Sequence, residues 1–129
     1  MDRLFLDANV FFSAAYRRAA GLLQLWKLRD ATLYSSRYAL EEAMINLTEQ
    51  DQRIRLSRLS EKVQLFDAAP RQLPHGISLP EKDVPILLAA IEARCTHLLT
   101  GDVRHFGPYF RKKIEGVSIV LPGDYLRNR

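Results

Sequence analysis

The sequence has little of the chemistry that marks secreted and membrane proteins. Its 129 residues include one cysteine, Cys95, which excludes an internal disulfide and a zinc site built from several cysteines. No apolar run approaches the roughly 18 residues of a membrane span. The N-terminus lacks the basic stretch, apolar core and cleavage site of a signal peptide. These absences predict a cytoplasmic protein that does not associate with a membrane.

Internal repeats, low-complexity segments and long linkers are also missing, so residues 1–129 are expected to form one domain. Hydrophobic residues make up 47% of the chain and charged residues 26%, as in ordinary soluble globular proteins. The net charge of +4 and the pI near 9.5 are compatible with a polyanionic partner such as nucleic acid. A basic excess of this size is also common in proteins that bind no polyanion, so charge alone leaves the partner open.

Apolar segments of strand length alternate with segments of helical periodicity along the chain. The predicted strands cover residues 3–6, 31–35, 66–69, 97–100 and 117–121. The predicted helices cover residues 10–16, 19–29, 37–48 and 51–66, and a buried helix that opens with Asp83-Val84-Pro85. Asn9 and Ser36 are the expected N-caps of the helices that follow them. This alternation predicts an α/β fold with a mostly parallel sheet and helices on both faces.

Two of the predicted strands end in an acid. Asp7 follows the apolar residues 4–6, and Asp102 follows the apolar run 97–100 after one glycine. An unpaired carboxylate inside a buried strand costs several kcal/mol, whereas one at the carboxyl edge of a parallel sheet projects into the crevice where ligands bind. Right-handed crossovers place both strand ends on the same edge. We therefore expect Asp7 and Asp102 to lie in one cluster.

Two further acids belong to this cluster by context, although each also has a simpler interpretation. Asp83 begins a buried helix and could serve only as its cap. Glu42 lies on the helix after the second strand and could be a solvated residue, and its neighbour Glu41 keeps the assignment open. Helical spacing places Asn46 one turn after Glu42 on the same face, where its amide could orient the carboxylate. This spacing favours Glu42 over Glu41.

Clustered carboxylates repel one another unless cations neutralise them. Ligand sets made of hard oxygen atoms select Mg²⁺ or Mn²⁺. A site of this kind can hold two ions and stabilise the attacking and leaving oxygens of a phosphodiester. The acids therefore predict metal-assisted phosphoryl transfer.

Four segments, taken in order, resemble the motifs of the PIN domain, a family of small metal-dependent ribonucleases that includes the VapC-type toxins of bacterial toxin–antitoxin pairs. The segments are residues 4–10 (LFLDANV), 36–42 (SRYALEE), 82–90 (KDVPILLAA) and 98–102 (LLTGD). Asn46 continues the second motif, and the fourth carries both Thr100 and Asp102. Each match is weak alone, but four in order at compatible spacing form a fairly specific signal.

The resemblance implies a three-layer α/β/α sandwich that cleaves single-stranded RNA endonucleolytically. It implies a catalytic Mg²⁺ or Mn²⁺ site formed by Asp7, Glu42, Asp83 and Asp102. The metal-held carboxylates would activate a water for attack on the phosphorus. The residues expected to support these ligands through hydrogen bonds are Asn9, Asn46 and Thr100. A cognate antitoxin and a second copy of the chain, as a homodimer, are the protein partners that the family suggests.

Basic residues near the motifs are candidates for contacts with RNA phosphates, which bind Arg and Lys without regard to base sequence. These candidates are Arg37, Arg104, His105, Arg111 and Lys112. Arg111-Lys112-Lys113 is the densest cationic run, and a run of this kind is as often a solvated charged face.

Three other classes of protein fit parts of the pattern less well. A catalytically silent PIN-like module would bind RNA or a protein partner, but it would not need all four acids. A phosphatase of the haloacid dehalogenase type would carry its general acid where Asn9 stands, and the chain is short for that fold with a cap. A response-regulator receiver would need an acidic pair after the first strand, which this sequence lacks.

Overall fold

The computed structural model describes residues 1–129, which form six strands, six α-helices and three 3₁₀ helices. The strands are β1 (Asp2–Leu6), β2 (Ala31–Ser35), β3 (Gln64–Leu65), β4 (His97–Leu99), β5 (Lys113–Ile114) and β6 (Val117–Val120). The α-helices are α1 (Ala8–Tyr16), α2 (Arg37–Asn46), α3 (Gln50–Ser60), α4 (Val84–Glu92), α5 (Val103–Phe106) and α6 (Pro122–Arg127). The 3₁₀ helices span Gly21–Lys27, Glu81–Asp83 and Gly107–Tyr109. No helix has the length and apolar character that crossing a bilayer requires.

The six strands form one sheet in the order β3-β2-β1-β4-β6-β5. All neighbouring strands are parallel except β5 and β6. Phe5 of β1 pairs with Tyr34 of β2, and Leu6 pairs with Leu99 of β4. Because these three strands are parallel and end at one level, the residues that follow them meet at one edge of the sheet. The predicted α/β/α sandwich with a mostly parallel sheet is confirmed.

The apolar end of β1 lies in the middle of the core. Leu4, Phe5 and Leu6 are fully inaccessible to solvent, as expected of a strand covered on both faces. Ile86 and Leu87 are also buried, which confirms that α4 is largely a core helix. Burial of one such side chain contributes about 1.5–3 kcal/mol, so the strand end is fixed firmly. The acids that follow β1 and β4 therefore stand on a rigid base.

The first helix begins two residues earlier than the sequence predicts. Its N-cap is Asp7 rather than Asn9, and the Asp7 side chain accepts a hydrogen bond from the N–H of Ala8. The side chain of Asn9 is engaged across the sheet edge with Gly101, so it does not cap the helix. The cap predicted for α2 is confirmed, since the Ser36 side chain accepts from a backbone N–H in the first turn.

The second predicted helix is the 3₁₀ helix Gly21–Lys27 instead of a longer α-helix. Leu22 and Leu25 both pack on the core, and side chains three residues apart lie over one another in a 3₁₀ helix. Trp26 Nε1 donates to the carbonyl of Leu59 at 3.0 Å, which holds this segment against α3.

The segment after α2 also differs from the prediction of one helix over residues 51–66. The helix α3 ends at Ser60, because the chain tightens into turns in which Val63 donates to the Ser60 carbonyl at 3.1 Å. Val63 is buried, and β3 follows at Gln64–Leu65 rather than at 66–69. The antiparallel strand β5 was not predicted, since two residues are too few to show a period.

Candidate functional site

The carboxyl edge of the sheet carries a cavity of about 380 Å³. All four acids singled out in the sequence line it: Asp7, Glu42, Asp83 and Asp102. The other lining residues are Ala8, Asn9, Phe12, Ala43, Asn46 and Lys82. The acids come from the ends of β1 and β4, from α2, and from the 3₁₀ helix before α4. The sheet order therefore gathers carboxylates from the whole length of the chain, and we call this pocket the acidic cavity.

Asp7 is the most firmly held of the four acids. Its Oδ1 accepts a hydrogen bond of 2.7 Å from the N–H of Ala8, and its Oδ2 accepts one of 2.8 Å from the Thr100 hydroxyl. The amide of Asn9 donates at 3.3 Å to the same Oδ2 and to the Thr100 hydroxyl oxygen. Only 3% of Asp7 is exposed. The carboxylate is thus fixed by three donors before any ligand binds.

The surroundings of Asp7 oppose its ionisation. Burial raises the pKa of Asp7 to about 6, although the hydrogen bonds from Thr100 and Ala8 lower it. The charges of Asp83 and Glu42 raise the pKa of Asp7 further. A cation in the acidic cavity would reverse this effect, because it favours the charged carboxylate.

Asn9 and Thr100 connect the end of β1 to the loop that follows β4. Asn9 Oδ1 accepts from the N–H of Gly101 at 2.8 Å, and Thr100 Oγ1 accepts from the N–H of Asp102 at 3.0 Å. The Thr100 hydroxyl therefore contacts both acids that end strands, donating to Asp7 and accepting from the backbone of Asp102. The two residues set the separation of these acids through hydrogen bonds.

The structure distinguishes the two neighbouring glutamates of α2. Glu42 is partly buried and lines the acidic cavity, whereas Glu41 is exposed to solvent and does not line it. Asn46 lines the cavity as well, but its amide donates at 2.9 Å to the main-chain carbonyl of Glu42 rather than to the carboxylate. Asn46 therefore supports the helix that carries Glu42, and does not orient its carboxylate as the spacing suggested.

His105 lies against two of the acids that line the cavity, Asp83 and Asp102. Nδ1 of His105 lies 2.8 Å from Asp102 Oδ2 and 3.0 Å from Asp83 Oδ2. The contact with Asp102 has the geometry of a hydrogen bond and the contact with Asp83 does not, so the buried Asp83 Oδ2 has no hydrogen-bond partner. Burial raises the pKa of Asp83; Lys82 lowers it, Asp102 raises it and His105 lowers it.

These donors fit a divalent cation. The four acids offer carboxylate oxygens, which are the ligands that Mg²⁺ and Mn²⁺ prefer. An unsatisfied buried acceptor such as Asp83 Oδ2 destabilises a fold by about 1–3 kcal/mol unless a ligand satisfies it. A cation would meet this need and screen the repulsion among the carboxylates.

The predicted RNA contacts do not all lie at this cavity. His105 contacts the acids themselves, and Arg37 and Arg104 are exposed on α2 and α5. Arg111 lines a separate cavity of about 780 Å³ that shares no lining residue with the acidic one, and Lys112 is exposed beside it in the chain. The basic run at 111–113 is therefore not part of the acidic cavity.

Lys82 at the cavity, and Tyr38 bonded to its carbonyl, were given no role in the sequence analysis. Lys82 lines the cavity, and the only signal in the sequence is its position directly before Asp83. The Tyr38 hydroxyl donates to the Lys82 carbonyl at 2.7 Å. Burial raises the pKa of Tyr38, and the charges of Glu42, Asp83 and Asp7 raise it further.

Comparison with known proteins identifies a family for this chain. A family model described as "PIN domain" matches residues 3–104, a range that contains all four acids of the cavity. No curated protein matches the chain.

Proposed function

This chain belongs to the PIN domain family, and we propose that it is an endoribonuclease that cleaves single-stranded RNA with Mg²⁺ or Mn²⁺. The observation that carries the proposal is the acidic cavity, in which four carboxylates converge and a buried oxygen of Asp83 has no hydrogen-bond partner. Family membership supports nuclease-type hydrolysis. The single-stranded substrate is supported by the resemblance of the four motifs to metal-dependent ribonucleases.

The roles we propose for the residues follow from their contacts. Asp7, Glu42, Asp83 and Asp102 would hold the cation, which when bound lowers the pKa of an attacking water and neutralises charge on the phosphodiester. Thr100 and Asn9 keep Asp7 in place through the hydrogen bonds described above. This preorganised shell removes the need to rearrange the carboxylates when substrate arrives.

Lys82 is the basic residue that lines the cavity, and we propose that it binds the substrate. Its ammonium would contact an RNA phosphate next to the cleaved bond. Arg37 and Arg104 are exposed on the elements that carry Glu42 and follow Asp102, so they would extend this contact along the strand. Such contacts are independent of base sequence and weaken as salt concentration rises.

We further propose that the chain acts as the toxin of a toxin–antitoxin pair. Support comes from the motif resemblance to VapC-type toxins. In that role, induced expression of the chain in bacteria arrests growth, and a variant that cannot cleave RNA does not. Growth that continues during expression of the folded, active enzyme would contradict the toxin role and leave the nuclease proposal intact.

Cleavage of a fluorescent single-stranded RNA tests the proposed activity, with its duplex as the comparison. We expect cutting of the single strand with Mg²⁺ or Mn²⁺ and none with chelator. Glu42→Gln should lower the rate about a hundredfold, because it removes one charged ligand worth several kcal/mol. Glu41→Gln, the matched control on the solvent side of α2, should stay within about twofold.

Three results would contradict this account. Cutting that survives chelation would place the activity elsewhere or in a contaminant. Equal losses of cleavage rate in the two glutamine variants would show that Glu42 has no specific role in the site. A folded protein that neither cuts RNA nor binds a divalent ion would be a silent RNA- or protein-binding module.

A further inference from the structure

We infer that His105 supplies a nitrogen ligand to the cation in the acidic cavity, and that the cavity therefore binds Mn²⁺ in preference to Mg²⁺. The inference rests on the proposed function in one respect, namely that the acids hold a divalent cation. It adds a residue outside the four acidic motifs and a choice between the two metals.

The spacing of three donor atoms supports this assignment. His105 Nδ1, Asp102 Oδ2 and one carboxylate oxygen of Asp83 all lie within 4.8 Å of one another. The nitrogen is 2.8 Å from the Asp102 oxygen and 3.0 Å from Asp83 Oδ2. Neighbouring ligands of a six-coordinate ion, each about 2.0–2.2 Å from the metal, are about 3 Å apart. The three atoms therefore have the separations of ligands that share one ion.

A purely hydrogen-bonded role for the imidazole leaves part of this arrangement unexplained. Asp83 Oδ2 is only 3.0 Å from the same nitrogen that contacts Asp102, yet only the contact with Asp102 has the geometry of a hydrogen bond. Only 5% of Asp83 is exposed, and its Oδ2 has no hydrogen-bond partner. A shared cation would satisfy both carboxylates and the ring nitrogen together.

The backbone holds the imidazole in this place. Asp102 caps α5, and its Oδ1 accepts from the N–H of His105 at 3.1 Å. The next residue, Phe106, is fully buried and anchors the short helix in the core. The ring itself is about one quarter exposed. Little side-chain entropy remains to be lost when the nitrogen binds a metal.

The metal preference follows from the donor types. Both Mg²⁺ and Mn²⁺ bind carboxylates, but Mn²⁺ is a transition-metal ion and accepts an imidazole nitrogen more readily than Mg²⁺ does. The chain has three histidines, and the other two lie elsewhere. His75 is exposed in the loop before α4, and His97 packs on Tyr125 at the start of β4. An imidazole ligand for a cation held by these acids can therefore come only from His105.

Pulsed electron paramagnetic resonance of bound Mn²⁺ tests the inference without any RNA. Electron-spin-echo envelope modulation detects a ¹⁴N nucleus coordinated to the ion. We expect the nitrogen modulation in the wild type and in the control His75→Gln, and its loss in His105→Gln. The dissociation constant for Mn²⁺ should rise about tenfold or more in His105→Gln, while that for Mg²⁺ should change less than about twofold.

Circular dichroism first establishes that each variant is folded. Mn²⁺ bound to the wild type without nitrogen modulation would overturn the role of His105 and leave the proposed function standing. Nitrogen modulation that persists in His105→Gln would also overturn it. A folded wild type that binds no Mn²⁺ would overturn both the inference and the metal site of the proposed function.

Discussion

Replacing Asp7 by asparagine is expected to lower metal-dependent RNA cleavage about a thousandfold and to leave the fold intact. The substitution removes one of four charges that hold the cation, and a ligand of this kind contributes several kcal/mol to stabilising charge in the transition state. Each 1.4 kcal/mol corresponds to about a tenfold change in rate. Steady-state cleavage of a short single-stranded RNA under saturating Mn²⁺ measures the effect.

The fold should survive because asparagine keeps the shape of the side chain. Its Oδ1 can still accept from the N–H of Ala8, and the Thr100 hydroxyl keeps the hydrogen bonds that it accepts from Asn9 and from the N–H of Asp102. Asp124→Asn is the matched control, since Asp124 lines the separate larger cavity. Undiminished cutting by Asp7→Asn, or an equal loss in the control, would show that the chemistry does not depend on Asp7.

The same substitution should stabilise the metal-free protein at neutral pH. Burial raises the pKa of Asp7 to about 6 from its ordinary value of 3.8. The folded state therefore binds this proton more tightly than the unfolded chain does. The resulting stability is present in full below about pH 4 and is lost as the pH rises through about 6. A shift of about two pKa units corresponds to about 3 kcal/mol, which is the upper limit of the gain.

Urea unfolding of the two proteins in chelator, at intervals from pH 4 to pH 8, measures this contribution. The difference in free energy of unfolding between Asp7→Asn and the wild type should be near zero at the acid end. It should grow toward neutral pH and level off above about pH 6. Saturating Mn²⁺ should stabilise the wild type more than the variant, because only ligand bound to the folded state adds stability. A difference that is independent of pH would contradict the raised pKa of the buried Asp7 carboxylate.

Much of the acidic cavity could be predicted because strand ends are easy to recognise. The apolar run before Asp7 and the one before Asp102 each need a buried strand, and a parallel sheet places both strand ends at one edge. Glu42 could be preferred to Glu41 from helical spacing alone, and the structure agrees that only Glu42 lines the cavity. These assignments needed only the period of each element and the direction of the sheet.

The role of His105 could not be predicted, because it depends on three-dimensional distances. The residue lies three positions after Asp102 in a four-residue helix, which is too short to show a period. Its contact with Asp83 joins two segments through tertiary packing, and no local pattern records it. Lys82 was missed for a related reason: one exposed lysine before an acid has no signature of its own.

The position of the basic run at 111–113 in the fold could not be predicted, because no sequence pattern marks the turn that follows it. The chain reverses between β5 and β6 through Glu115 and Gly116, which both have positive φ angles of 47° and 87°. This hairpin turns the chain back along β6, and Arg111, with φ 66°, lines the larger cavity. No Asn-Gly or Asp-Gly pair, the usual mark of a two-residue hairpin turn, stands at this position.

Isothermal titration of Mn²⁺ into the metal-free protein tests the central claim most directly, namely that the four carboxylates form a divalent-cation site. The titration compares the wild type with Asp83→Asn and with the control Asp124→Asn. The account predicts saturable binding to the wild type and the control, and an affinity at least about tenfold lower for Asp83→Asn. Equal affinities in all three proteins, or no binding to a folded wild type, would contradict it.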